Sequence, residues 1–164
     1  MISTLRPPAR FPRQARVLRP VLAAALLGLG LPGAALAGIA EGPAKRDIER
    51  HLGRGKTAKV IEAPVFYGDF NGDGRRDAVT FIYAETGGNA ASLDVLLFTG
   101  EAEGFRFFRK AAGVFGENPR NVAFRPGAID VTMTTLGPND ARCCPSQEKN
   151  LTIEISGVRR GPRR

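Results

Sequence analysis

The sequence predicts an α+β fold that is mostly β: an antiparallel sheet of about six or seven strands with one short N-terminal helix, or alternatively a small β-sandwich or barrel. Short apolar runs rich in β-branched and aromatic residues recur from residue 58 to residue 156. Clusters of Gly, Asn and Pro separate them, as turn chemistry requires. Only one segment after residue 37 carries helical spacing.

The N-terminus reads as a cleavable export signal rather than as part of that fold. Arg6, Arg10, Arg13, Arg16 and Arg19 precede an apolar stretch from Val21 to Leu31, and no acidic residue accompanies them. Pro32 and Gly33 break the stretch, and Ala35-Leu36-Ala37 places small residues where a signal peptidase reads them. The apolar run is shorter than the roughly 20 residues a membrane helix needs. No Cys lies near the cleavage site and no adjacent arginine pair precedes the apolar run, so neither a lipid anchor nor the twin-arginine route is indicated. The expected organisation is therefore a signal peptide over residues 1–37, a single mostly-β domain over 38–158 and a basic tail over 159–164. The mature chain is expected in the periplasm or outside the cell, with no membrane span.

Cleavage changes the charge argument. The chain carries 24 Lys and Arg against 16 Asp and Glu, a net +8. Five arginines leave with the signal, which leaves 19 against 16, or +3. Four more sit in the last six residues (Arg159, Arg160, Arg163 and Arg164), so residues 38–158 stand at 15 against 16, or −1. Nucleic-acid binding needs a basic face on the domain itself, and this distribution excludes it as a leading idea.

Pro43 followed by Ala44–Leu52 predicts the helix: Pro suits a first turn, Asp47 and Glu49 lie early, Ile48 and Leu52 share a face, and Gly53 ends it. Strands are expected at Ala58–Phe66, Ala78–Ala84, Ser92–Thr99 and Phe105–Lys110. Val122–Phe124 and Ala128–Thr134 flank the turn residues Arg125, Pro126 and Gly127. Over residues 151–156, Leu151, Ile153 and Ile155 alternate with Thr152, Glu154 and Ser156. The polar alternation predicts a sheet wet on one side, with the helix over the other.

Between the first two strands, oxygen-bearing side chains fall at Asp69, Asn71, Asp73 and Asp77, with Gly74 in the sixth position. A hard cation such as Ca²⁺ takes six to eight oxygens at roughly 2.3–2.6 Å, and a Gly at the sixth position permits the bend that turns the next carbonyl, here that of Arg75, inward. The twelfth position is Thr80 instead of a bidentate Glu, so the loop is not an EF-hand. It resembles the D-x-[DN]-x-D-G-x-x-D loop of FG-GAP and VCBS repeats, over roughly Val65–Tyr83. That resemblance implies a strand-joining Ca²⁺ loop with Asp69, Asn71, Asp73, Arg75 (by its carbonyl) and Asp77 as ligands. A single copy excludes a propeller, whose blades need neighbours. The expected role of the ion is structural. An Asx- and Gly-rich turn that binds nothing is the competing reading.

The only cysteines, Cys143 and Cys144, are adjacent in a polar loop from Gly137 to Lys149. Thiols pair in an oxidising compartment, but neighbouring Cα atoms are only about 3.8 Å apart, under the usual disulfide span. A ring between them is strained and so more reducible. A vicinal disulfide, a soft-metal site and an intermolecular link all stay open. The segment Cys143-Cys144-Pro145-Ser146 resembles one in exported bacterial families, lipoproteins of the LppP/LprE type among them, although their lipid-anchor Cys is absent here.

No catalytic set stands out. His51 is the sole His, at a helix end between Arg50 and Arg54, and reads as a surface residue. G-x-S-x-G, phosphate loops and dinucleotide fingerprints are absent. Glu62, Asp94, Glu101 and Asp130 are the carboxylates from which a glycosidase pair would be drawn, and they read equally well as outward strand residues. Phe105, Phe107 and Phe108 read as core and edge packing. Three functions follow as expectations: an exported Ca²⁺-stabilised module that binds an envelope component or another exported protein, a hydrolase of cell-wall polymer, and a redox-responsive module using the Cys pair. Enzymatic activity is not the leading reading.

Overall fold

The computed structural model describes residues 38–54, 58–87, 91–141 and 143–156. The expected signal segment and basic tail lie outside these residues, as does Arg142. No described helix is long and apolar enough to cross a membrane.

The expected fold class holds. Among the described residues one helix, α1 (Lys45–Leu52), precedes eight strands: β1 (Val60–Glu62), β2 (Val65–Gly68), β3 (Asp77–Glu85), β4 (Ala91–Glu101), β5 (Gly104–Ala111), β6 (Glu117–Arg125), β7 (Ala128–Thr135) and β8 (Gln147–Glu154). They form two antiparallel sheets, not a closed barrel. β3 pairs with β4 and β4 with β5, while β1 and β2 both pair with the other edge of β3. The second sheet runs β6-β7-β8.

Three local departures from the sequence reading have plain causes. The expected strand over 58–66 divides in two at Ala63 and Pro64, because Pro has no N–H for a ladder; Ala63 instead bridges to Ile39. β6 begins five residues earlier than its apolar core, carried by Asn118 and Asn121 at φ of 50° and 51°. Its register slips twice before Ala123, which hides any alternation from a sequence reader. The wet-sided sheet is not the one the helix covers: β8 alternates exposed Thr152 and Glu154 with buried Ile153, whereas β3, on the sheet beneath the helix, is buried along all but its last residue.

That burial follows from a three-layer arrangement. On one face of the first sheet, Ile48 and Leu52 of α1 pack with Ile82, Leu96 and Phe98. Asp47 fixes the helix by accepting the Phe105 N–H at 2.8 Å. On the opposite face, Val79, Phe81, Val95 and Leu97 meet Ile129, Val131, Met133 and Ile153 of the second sheet. A bulge at Phe108 lets β5 serve both cores, since Leu97 pairs with Arg109 while Phe98 pairs with Phe107. Phe107 then packs toward the helix and Phe108 toward the second sheet.

Candidate functional site

The Asp69–Asp77 loop connects β2 to β3 and sits where the two sheets meet. Its second residue, Phe70, is fully buried in the inter-sheet core. The Phe70 carbonyl accepts the N–H of Gly127, from the β6–β7 turn, at 2.8 Å. Gly72, at φ +74°, has Pro126 of that turn close beside it. The bend at Gly74 takes a φ of +82°, a region that costs a side chain but not a Gly.

The loop is organised by carboxylates accepting backbone N–H groups. Asp69 accepts from Gly72 and, at 2.8 Å, from Gly74. Asn71 Oδ1 accepts from the Asp73 N–H and Asp73 Oδ1 from the Arg75 N–H, both at 2.8 Å. The Asn71 amide donates to Asp73 Oδ2 at 3.0 Å. Asp77 is fully buried. One of its oxygens accepts from Phe70 and Asn71 at 3.1 and 3.2 Å, and the other accepts from Gly100 at 2.8 Å, across on β4. Burial pushes the Asp77 carboxyl above its ordinary value, the three N–H donors pull it back, and the Asp73 charge adds to the rise.

The structure thus brings Asp69, Asn71, Asp73, Arg75 and Asp77 into one compact turn. Among the described residues no three His, Cys, Asp or Glu side chains form a preformed metal cage. In kind the donors fit a hard cation: every one is oxygen, three are carboxylates, and the half-buried Asp69 and the exposed Asp73 retain free lone pairs. Sequence reasoning missed two supports. Phe70 anchors the loop in the core, and Gly100 leaves room for it, because a Cβ there would lie 2.2 Å from the Arg76 carbonyl oxygen.

A second loop, Gly137–Ser146, carries the cysteines. Cys143 and Cys144 are joined by a disulfide, with Cα atoms 3.8 Å apart, and both residues are exposed. Asp140 closes the base of the loop. Its Oδ2 accepts from the Gly137 N–H at 2.8 Å and the Ser146 N–H at 2.7 Å, and its Oδ1 accepts from the Ser146 hydroxyl at 2.9 Å. Those bonds, the Gly137 N–H first, hold the Asp140 carboxyl below its ordinary value. The sequence offers one signal for this role: Asp140 follows Pro138 and Asn139, a turn composition in which an Asx side chain bonds to nearby backbone.

Beside this loop lies a groove of about 510 Å³, lined in part by Tyr83, Leu93, Val114, Phe115, Leu136 and Pro145. Phe115 and Leu136 are two of the three large apolar side chains exposed among the described residues. Tyr83 donates its hydroxyl to the Gly116 carbonyl at 3.2 Å.

The chain matches no family model, no curated protein and no solved structure.

The carboxylates considered for hydrolysis are dispersed. Asp94 is paired with Lys110, Glu101 with Arg106, and Asp130 with Arg125. Glu62 lies at the end of the edge strand β1. Asp94 and Glu101 lie seven residues apart on β4 and Asp130 on β7, each set against its own cation instead of the second carboxylate that glycoside hydrolysis requires. His51 lies half-buried at the surface with one face packed. Its ring stacks on Phe107 at 3.9 Å between centroids and meets Phe98 edge-on. Burial lowers its pKa, and the neighbouring Arg54 charge adds to that. The Phe105–Phe108 segment serves packing, with Phe105 and Phe107 against the helix-side core.

Proposed function

We propose that this chain is an exported small module whose loop Asp69–Asp77 binds Ca²⁺ and thereby rigidifies a binding surface in the cell envelope. The observation that carries the reading is the position of the loop. It touches β4 through Gly100, the inter-sheet core through Phe70 and the second sheet through Gly127. An ion held by Asp69, Asn71, Asp73, Asp77 and the Arg75 carbonyl would tie all three together, so its role is structural. Three carboxylates in one turn repel one another, and a divalent cation offsets that repulsion. The Ca²⁺ supplies electrostatic cross-linking and no chemistry of its own.

The partner class is another envelope component or exported protein. Dispersed, ion-paired carboxylates favour binding over hydrolysis. The test is co-sedimentation of the purified protein with isolated cell-wall polymer and envelope fractions, in millimolar Ca²⁺ and again in chelator. Retention in Ca²⁺ that chelator releases, with no polymer cleavage, is the expected result. Calcium-independent cleavage of the polymer would replace this reading with the hydrolase.

A further inference from the structure

The geometry points to Cys143–Cys144 as a redox-active disulfide that exchanges electrons with a dithiol oxidoreductase docking on the groove formed by Phe115, Leu136 and Pro145. This disulfide does little to hold the fold together. A cross-link stabilises a fold chiefly by closing a loop in the unfolded chain, and the effect grows with the length of chain enclosed. A bond between neighbours encloses none. The Gly137–Ser146 loop is already closed at its base by the Asp140 carboxylate and by a turn in which Cys144 donates its N–H to the Ala141 carbonyl at 2.9 Å. Reduction therefore leaves the surrounding loop in place, and the bond's contribution is chemical.

The disulfide is also accessible. Both cysteines are exposed, and exchange proceeds by a thiolate approaching a disulfide sulfur. Adjacency alone keeps the two Cα atoms below the ordinary disulfide span, which favours the open dithiol. The neighbourhood of the disulfide is apolar. Pro145, directly after Cys144, is part of the wall of the apolar groove, and Phe115 and Leu136 stand half-exposed along it. An apolar patch rimmed by polar residues marks a contact surface. Pro145 links this patch along the chain to the exposed disulfide, and the occupant that matches both features is the protein that reacts with that disulfide.

The step balances as a two-electron exchange. A thiolate of the partner's dithiol attacks one sulfur of the pair, the Cys143–Cys144 bond breaks, and the displaced sulfur takes up a proton. The partner's second thiolate then attacks the mixed disulfide and releases the second Cys as a thiol. Two electrons and two protons reach this protein, and the partner leaves as its disulfide. In reverse, the dithiol reduces an oxidised partner. None of these residues belongs to the Ca²⁺ loop, so this inference and the calcium reading fail independently.

The experiment treats the purified, oxidised protein with a reduced Cys-X-X-Cys oxidoreductase and, separately, with dithiothreitol, counting thiols by alkylation and mass. Both reagents are expected to open the pair with the thermal midpoint nearly unchanged. Phe115→Ser and Leu136→Ser, both surface changes, are each expected to slow the protein reductant by about tenfold, the loss of roughly 1.4 kcal/mol of docking energy. The dithiothreitol rate should stay constant. An oxidoreductase that cannot reduce the pair would overturn the assignment, as would two variants that leave the ratio of the two rates unchanged.

Discussion

The Asp69–Asp77 and Gly137–Ser146 loops use one device and put it to different ends. In each, an aspartate gathers backbone N–H groups from separate points along the chain, Asp77 from Phe70 and Gly100 and Asp140 from Gly137 and Ser146. Asp77 does so fully buried and reaches a neighbouring strand. Asp140 does so at the surface and reaches only its own loop. The first arrangement makes a loop part of the core. The second makes a loop that holds its shape while the rest of the domain is indifferent to it. Structural metal binding suits the former, and reversible chemistry suits the latter.

That contrast breaks most visibly at Asp77. Asp77→Ala strands the N–H groups of Phe70, Asn71 and Gly100, and an unpaired buried donor costs about 1–3 kcal/mol. A loss on the order of 3 kcal/mol is expected in denaturant melts. A loss no larger than that of an exposed aspartate would mean the clasp is not part of the core. Gly100→Ala is expected to be the next largest effect, since the added methyl collides with the Arg76 carbonyl oxygen. It should lower the thermal midpoint without touching the cysteine loop, as thiol accessibility would report.

Asp140→Ala should act in the opposite manner, with global stability barely moved and amide exchange accelerated at Gly137 and Ser146. Acid sharpens the same point. The folded Asp140 carboxyl is held below its ordinary value, so its contribution is fully present above the unfolded value near 4 and is lost as pH falls through the lower folded value. Protection of those two amides is expected to persist at about pH 4 and fade below it. Protection that fades well above pH 4 would show that another group closes the loop.

How far these features were legible in sequence depends on how local they are. The helix from Pro43 to Gly53, the strand cores and the oxygen spacing of the Asp69 loop are all set by residues within one turn of each other. What escaped is long-range. Nothing near Gly100 in sequence shows that its N–H meets Asp77, and nothing near Phe70 shows that it plugs the space between two sheets. The division into two sheets was legible only as the sandwich alternative, because alternation reports which residues are inside but not which sheet covers them. The packing of His51 escaped because its stacking partner, Phe107, lies on a strand distant in the chain.

The central claim is that the Asp69–Asp77 loop holds Ca²⁺. Thermal melts of the purified protein, in chelator and in millimolar Ca²⁺, with Asp73→Ala alongside, test it most directly. Ligand bound only to the native state adds about 2.7 kcal/mol at a hundredfold excess over Kd. The account predicts a higher midpoint in Ca²⁺ that Asp73→Ala abolishes while its midpoint in chelator stays near that of the parent. A midpoint indifferent to millimolar Ca²⁺ would contradict it and leave Asp69–Asp77 as a hydrogen-bonded turn.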